Sequence, residues 1–270
     1  MIKRFDNSTF FLGKTILLNN RLSTYRKYLE LAQKEGYYVC SLDEFFKDKD
    51  SSNKHFILRH DVDYLLPVTQ KMFEIEKKLN IHSTYYFRWS TVDKELIQKM
   101  LNAGFDVGLH YETIATYAQS HNIHKKNDLP MNEIKKILKN EIDKFKIELN
   151  PEMTSCCSHG AVENVKLGVS NNSLLEKNDY SLYGIKFEAY DERLYSNYNL
   201  YHIMDANLWF NYGFAYKTNP IDGMNNNKTN ILFLAHPNHW LLRNHLDNIK
   251  AFFSGKEVVP SDRQFYRIAQ

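Results

Sequence analysis

The most informative stretch of the chain is Lys54-His-Phe-Ile-Leu-Arg59-His60-Asp61-Val62-Asp63, where an apolar run of strand type leads directly into charged side chains. Ionised carboxylates stay out of protein cores unless they are paired or bind a metal. Asp61 and Asp63 are two residues apart, so on an extended chain both project from the same side. Such a pair can hold a cation and a water molecule. The alternative is a strand that runs into an Asp-rich turn, with Arg59 as a local counter-ion.

Strand-like and helix-like segments alternate on both sides of this stretch. Residues 22–35 are predicted as a helix and residues 37–40 as a strand, and Ser41-Leu-Asp-Glu44 is a capping box that opens a short helix. Further strands are predicted at 56–58, 83–87, 105–109, 154–157, 185–187, 200–204 and 231–235, and further helices from Pro67, at 92–102, from Pro130 and at 240–253. Repeated β-then-α units predict a parallel sheet, either open or closed as a barrel.

Four of the predicted strands end in polar residues that can bind a metal or transfer a proton. They are Asp61 with Asp63, His110, His159 and His236. In parallel α/β folds the ligand site lies where the strands reach their carboxyl ends. Taken singly, each histidine fits an ordinary loop position better than a ligand position. Four such strand ends in one chain predict a shared active site.

Length, charge and composition restrict the class of protein. The 270 residues, 43% of them hydrophobic, fit one α/β domain over 1–270, with a helix–strand lead-in at 1–50 and a catalytic barrel at about 51–255. The net charge is only +3, without a block of Lys and Arg, which argues against a nucleic-acid partner. No signal peptide and no stretch of transmembrane length is evident, so we expect a cytoplasmic location. The three cysteines give neither a disulfide framework nor zinc-finger spacing.

The order of these motifs resembles that of the polysaccharide deacetylases of carbohydrate esterase family 4 (CE4). Leu58-Arg-His-Asp61-Val-Asp63 is similar to an Arg-His-Asp-Val-Asp variant of the family's Asp-Asp motif. Five later segments are similar to successive family motifs, and they are Ser83–Phe87, Gly104–His110, Ser158-His159-Gly160, Asp205–Trp209 and Leu234-Ala-His236. The resemblance covers roughly residues 55–240. It implies a distorted (β/α) barrel with about seven parallel strands.

The resemblance also implies a hydrolase that cleaves a linear amide C–N bond and removes an acyl group from a carbohydrate. Asp61 is the implied general base and His236 the implied general acid. The implied metal ligands are Asp63 and His110, and the family's second histidine is replaced here by Ile114. His159 is the preferred third ligand.

Other roles follow from the same resemblance. Glu112 is the other candidate for the third ligand, unless the metal has been lost. Arg59, Glu112, Asp205 and Trp209 are predicted to bind substrate, with Arg59 also able to orient Asp61 and Asp205 able to orient His236. A carboxylate and imidazole ligand set favours zinc, while cobalt, manganese or nickel also fit it.

The expected substrate is an N-acetyl or N-formyl amino sugar, nucleotide- or lipid-linked, that serves as a precursor in glycan biosynthesis. Two alternatives remain open. One is a metal-independent amidohydrolase of the same fold that acts on a cyclic amide or ureide. The other is a non-catalytic glycan-binding protein that keeps the barrel as a relic.

Overall fold

The computed structural model describes residues 21–49, 51–64, 66–175, 180–205 and 220–240. The larger of two compact units is Arg26–His239, and it contains the whole sheet. Of the smaller unit only residues 21–25 and Trp240 are described, and in it the rings of Tyr25 and Trp240 pack edge to face with centroids 5.3 Å apart. The single domain over 1–270 therefore stays a prediction. The predicted helix at 240–253 lies outside the described residues.

A single parallel sheet forms the frame of the larger unit. Within the described residues its strands are Tyr37–Cys40 (β1), Lys54–Val62 (β2), Thr84–Phe87 (β3), Asp106–Tyr111 (β4), Ser155–Ser158 (β5), Phe187–Glu188 (β6), Tyr201–Met204 (β7) and Asn230–Ala235 (β8). The strand order is β6-β5-β4-β3-β2-β8-β7, and β1 pairs with the first half of β2 while β3 pairs with its second half. The end strands β6 and β7 do not pair with one another in the described part of the chain. The predicted distorted (β/α) barrel with about seven parallel strands is confirmed as an open, half-barrel sheet.

Helices follow most of the strands. The described ones are Arg21–Lys34 (α1), Leu42–Asp48 (α2), Leu66–Lys78 (α3), Lys94–Asn102 (α4), Thr113–Ser120 (α5), Met131–Glu148 (α6), Val162–Leu167 (α7), Glu192–Asn197 (α8) and Pro220–Asn225 (α9). The predicted capping box opens α2, since the Glu44 amide donates to Ser41 Oγ at 3.1 Å and the Ser41 amide donates to Glu44 Oε2 at 3.0 Å. The longest helix, α6, buries Ile134, Leu138, Ile142 and Phe145 at helical spacing.

Strand β2 is longer than the sequence indicates. It continues to Val62, so that Arg59 and Asp61 lie within the strand instead of in a turn after Leu58. Residues two apart on a strand share a face, and opposite charges there can neutralise one another. A central strand can hold these two charged side chains because they form an ion pair.

A close approach of β4 to its neighbours brings the strand ends together. A Cβ atom on Gly108 would lie 2.5 Å from the Ser155 carbonyl oxygen and 2.7 Å from the ring of Tyr86. The hydroxyls of Tyr86 and Ser155 are hydrogen-bonded at 2.7 Å across this glycine. Only a residue without a side chain fits here, and the carboxyl end of β4 lies directly beyond it.

Candidate active site

The predicted site residues lie at the carboxyl ends of adjacent strands. In the sheet register His110 of β4 is opposite Cys157 of β5, and His60 of β2 is opposite Ala235 of β8. The pairing of β4 with β5 extends by one residue, because the His159 amide donates to the Tyr111 carbonyl at 2.7 Å. The strands are parallel, so the side chains that follow them meet at the same edge of the sheet.

Asp63, His110 and His159 form a compact cluster. Asp63 Oδ1 lies 3.4 Å from His110 Nε2 and 3.6 Å from His159 Nε2, and the two imidazole rings are 5.1 Å apart edge to face. Burial would raise the pKa of Asp63, but the neighbouring imidazoles of His110 and His159 outweigh it and lower the pKa. The carboxyl group is therefore ionised at neutral pH.

The chemistry of this cluster suits a divalent cation. Asp63 Oδ1 is buried and makes no hydrogen bond with any described residue, although one carboxylate oxygen and two imidazole nitrogens lie within 4.8 Å of one another. Buried polar atoms without a partner are rare, and an ion is one way to satisfy such an atom. One oxygen and two nitrogen ligands also match a catalytic zinc site that leaves a position open for substrate. The residues present therefore fit the metal that the sequence predicts.

Hydrogen bonds behind each imidazole orient its Nε2 atom towards Asp63. His110 Nδ1 lies 3.1 Å from the Cys157 carbonyl oxygen, and His159 Nδ1 lies 3.2 Å from Glu112 Oε2. Carbonyl and carboxylate oxygens only accept, so each Nδ1 must donate and each Nε2 is left as a potential ligand. Protein groups thus fix both tautomers for binding through Nε2.

Asp61 lies beside this cluster and is held by Arg59. Arg59 Nε and Nη2 donate to the two Asp61 oxygens at 2.9 and 2.8 Å, and both side chains are buried. Burial would raise the pKa of Asp61, but the Arg59 charge and then His110 lower it to about 2. This carboxylate also contacts the cluster, since Asp61 Oδ2 lies 3.7 Å from His110 Nε2. Asp61 is thus an ionised acceptor next to the candidate metal ligands.

His236 is held from behind by Asp205, which is fully buried. Asp205 Oδ1 lies 2.7 Å from His236 Nδ1, and Oδ2 accepts the His236 backbone N–H at 2.6 Å. Burial would lower the pKa of His236, but the charge and hydrogen bond of Asp205 raise it to about 9. The charges of Asp63 and Asp61 act in the same direction, so His236 belongs to the same electrostatic neighbourhood. At neutral pH it is an imidazolium that can donate a proton.

A second group, formed by Asp61, His110 and Cys157, also has the residue types of a metal site. The Arg59 guanidinium already occupies it, since Nη2 donates to Cys157 Sγ at 2.7 Å as well as to Asp61. Burial raises the pKa of the Cys157 thiol well above its ordinary value. A neutral thiol beside a guanidinium is a poor cation site, so the cluster around Asp63 is the better candidate.

The structure brings Asp61, Asp63, His110, His159 and His236 together, with Arg59, Glu112 and Asp205 in contact with members of the group. The remaining predicted residue, Trp209, lies outside the described residues. Catalytic, metal-binding and substrate-binding roles stay predictions. The three described residues that were predicted to bind substrate each have a protein partner, which for Glu112 is Arg88 as well as His159.

Two residues of the site were missed from the sequence. Arg88 donates to both Glu112 oxygens at 2.9 and 2.7 Å, and Cys157 contacts Arg59. Arg88 follows β3 directly, so the rule that polar residues follow strands would have included it. Cys157 gives no such signal, because a lone thiol inside a strand is usually a core residue.

No family model and no curated protein matches the chain. Solved structures similar to it include a family 4 carbohydrate esterase from Bacillus anthracis, with 15% identity and a TM-score of 0.39 over 85% of this chain and 87% of that one. They also include a CE4 family pseudoenzyme from Bacillus anthracis, with 13% identity and a TM-score of 0.43 over 74% of this chain and 62% of that one. A mutant CE4 family pseudoenzyme with restored enzymatic activity gives 13% identity and a TM-score of 0.43 over 76% and 65%.

The chain thus spans less than two thirds of the length of the pseudoenzyme chains. The family that the sequence motifs resemble is also the family of these solved structures. At such identities the likeness concerns the fold alone. Among the described residues, no helix combines the length and the apolar composition that crossing a membrane requires.

Proposed function

We propose that this protein is a metal-dependent hydrolase that removes an N-acyl group, acetyl or formyl, from an amino sugar. The observation that carries the proposal is the buried Asp63 Oδ1, which has no hydrogen bond within the described part of the chain and faces Nε2 of both His110 and His159. Near this cluster lie an ionised carboxylate, Asp61, and a protonated imidazole, His236. Metal-assisted amide hydrolysis uses these three components together: a Lewis acid, a base and an acid.

The three residues around the orphaned oxygen would hold the cation. A divalent cation bound there supplies a Lewis acid for the amide carbonyl and lowers the pKa of water, which makes hydrolysis possible at neutral pH. Zinc suits one carboxylate and two imidazoles best, and cobalt, manganese and nickel accept the same ligands.

Asp61 is the proposed general base. Its carboxylate is ionised at neutral pH, because Arg59 lowers its pKa to about 2 against the effect of burial. The ion pair also fixes the orientation of the carboxylate, so that Asp61 can accept the proton of the attacking water without changing its rotamer. Water oxygen then adds to the amide carbon as this proton moves to Asp61.

His236 is the proposed general acid. Its pKa of about 9 keeps it protonated at neutral pH, and Asp205 holds Nδ1, so Nε2 is the nitrogen from which a proton can be donated. The C–N bond breaks as His236 gives this proton to the departing nitrogen. The products are the free amine and a carboxylic acid, and the proton on Asp61 returns His236 to its starting state through solvent.

The amino-sugar substrate follows from the resemblance of the motifs to polysaccharide deacetylases. The sequence also suggests that the substrate is a nucleotide- or lipid-linked glycan precursor and that the protein is cytoplasmic. Both remain proposals. A sugar ring could use the aromatic side chains near the site, such as Tyr190, whose ring packs against Arg59 with the guanidinium carbon 4.2 Å from its centroid.

The test is release of acetate or formate from a panel of N-acylated amino sugars, in free, nucleotide-linked and lipid-linked form, with zinc or cobalt supplied. We expect Asp61→Asn and His236→Ala each to lower the rate by at least ~100-fold. His82→Ala is the matched control, because His82 also pairs with a carboxylate (Glu44 at 2.8 Å) but lies at the opposite end of the sheet. Activity that persists after chelation would favour the metal-independent amidohydrolase. Absence of release from every compound would refute the proposal.

A further inference from the structure

A partly buried ion pair lies behind His159, on the side of the ring that faces away from Asp63. Arg88 Nη2 donates to Glu112 Oε1 and Oε2 at 2.9 and 2.7 Å, and Arg88 Nε adds a third contact at 3.3 Å. Glu112 Oε2 also accepts from His159 Nδ1 at 3.2 Å. The three side chains therefore form a chain of contacts that ends at the candidate metal cluster.

The positions of these residues in the sheet explain how they meet. Arg88 follows β3, Glu112 follows β4 and His159 follows β5, and these three strands are neighbours. Glu112 is two residues after His110, so one short segment provides both an imidazole for the cluster and a carboxylate for the imidazole of the next strand. Burial would raise the pKa of Glu112, but the hydrogen bond from His159 and the charge of Arg88 outweigh it.

The contact with Glu112 determines which ring nitrogen of His159 faces the cluster. An imidazole at the end of a strand can rotate about its χ2 angle and present either nitrogen to an ion. With Glu112 at Nδ1, only Nε2 of His159 faces Asp63. A carboxylate at Nδ1 also makes the imidazole a more basic ligand.

Glu112 is poorly placed to act as a metal ligand itself. Both of its oxygens are bonded to Arg88, and it belongs to neither group of described residues that could hold an ion. Its contacts suit an orienting partner better than a metal ligand.

We propose that Glu112 is a positioning residue that fixes the tautomer and orientation of His159 for a divalent cation, while Arg88 holds the Glu112 carboxylate in place. This inference rests on the metal site of the proposed function. It makes His110-Tyr-Glu112 a functional unit in which the first residue binds the ion and the third supports the ligand on the adjacent strand.

The experiment measures zinc affinity, not activity, on the full chain stripped with a chelator and then dialysed. Wild type, Glu112→Gln and Glu44→Gln are titrated with Zn²⁺ by isothermal calorimetry. Glu44 and His82, 2.8 Å apart, form a carboxylate–imidazole pair of the same kind, remote from the cluster. We expect Glu112→Gln to weaken zinc binding by roughly 10- to 100-fold, and Glu44→Gln to change it by less than about twofold.

The outcomes of the titration separate the role of Glu112 from the existence of the metal site. Equal affinity of wild type and Glu112→Gln would overturn the role of Glu112 and leave the proposed metal site intact. A wild type that binds no zinc would overturn both. An equal loss in Glu44→Gln would attribute the effect to general destabilisation and would also overturn the role.

A second measurement does not depend on any variant folding. In the metal-free wild type, ¹⁵N-resolved NMR of the His159 ring should find a proton on Nδ1, the atom that faces Glu112. An Nδ1 without a proton would overturn the proposal.

Discussion

The buried ion pair of Arg59 and Asp61 should be among the strongest single interactions in the protein. Arg59→Met removes the charge but keeps an unbranched side chain of similar length, which leaves Asp61 buried without its main partner. Breaking a buried pair from one side costs about 3–5 kcal/mol, because the remaining charge is uncompensated. We expect a loss of this size in the free energy of unfolding of the metal-free protein at pH 7.

The direction and size of the effect follow from the pKa of Asp61. The fold lowers this pKa from 3.8 to about 2, and a shift of about 2 units corresponds to roughly 2–3 kcal/mol in favour of the ionised form. A lowered pKa gives stability that is present above pH 4 and is lost as the pH falls towards 2. In Arg59→Met the charge of Arg59 no longer opposes the effect of burial, so the pKa of Asp61 rises. The loss in free energy of unfolding relative to wild type should therefore grow from acidic to neutral pH.

A double-mutant cycle isolates the pair from the other contacts of Arg59. Wild type, Arg59→Met, Asp61→Asn and the double variant are unfolded in urea at pH 7 with chelator present. Contacts of Arg59 with the Ala189 carbonyl and with Cys157 are lost in both arms of the cycle and cancel. The coupling energy should be at least about 2 kcal/mol.

The control is an exposed pair of the same chemistry, Arg26 with Glu30, which lie 2.7 Å apart at i and i+4 on α1. Arg26→Met and Glu30→Gln should couple by only about 0.3–0.5 kcal/mol. If the coupling of Arg59 with Asp61 is no larger than this, the claim that Arg59 holds the base ionised is refuted.

Three further results are expected. In Asp205→Asn, His236 loses the partner that raises its pKa to about 9, so the alkaline fall in kcat/KM, where the acid loses its proton, should move to lower pH; an unmoved limb contradicts the assignment. Saturating zinc, at about 100 times its Kd, should stabilise the wild type by about 2.7 kcal/mol in thermal unfolding, and Asp63→Asn should abolish this gain. Gly108→Ala should destabilise by about 1–3 kcal/mol or more in urea, because its Cβ would meet the Ser155 carbonyl at 2.5 Å, whereas Gly160→Ala, with nothing within 4 Å, should not.

The fold was predictable because its signals are local. The capping box at Ser41, the apolar spacing of α6 and the bounds of β1 each depend on residues that are close in sequence. The meeting of His110, His159 and His236 needed only one further rule, that parallel strands deliver their carboxyl ends to the same edge. Such rules place residues near one another without specifying their contacts.

Some of the contacts in the site were beyond sequence reasoning. The pairing of Arg88 with Glu112 joins residues 24 apart, and it depends on β3 and β4 being neighbours in the sheet. The contact of Arg59 with Asp61 was predicted, but its location within β2 was not. Charged residues argued for the end of the strand at Leu58, although Arg59 and Asp61 at i and i+2 can neutralise each other on one face.

The packing of α5 gives a physical explanation for the isoleucine at position 114, where the family motif has its second histidine. Ile114 is fully buried in the hydrophobic core, so an imidazole there would have to lose its hydration. Its backbone amide donates to Asn171 Oδ1 at 2.8 Å, and Asn171 Nδ2 donates to the His159 carbonyl at 2.6 Å. The same asparagine therefore fastens the start of α5 to the backbone of His159. Given this linkage, a ligand supplied from the end of β5 is anchored both at its backbone, through Asn171, and at its ring, through Glu112.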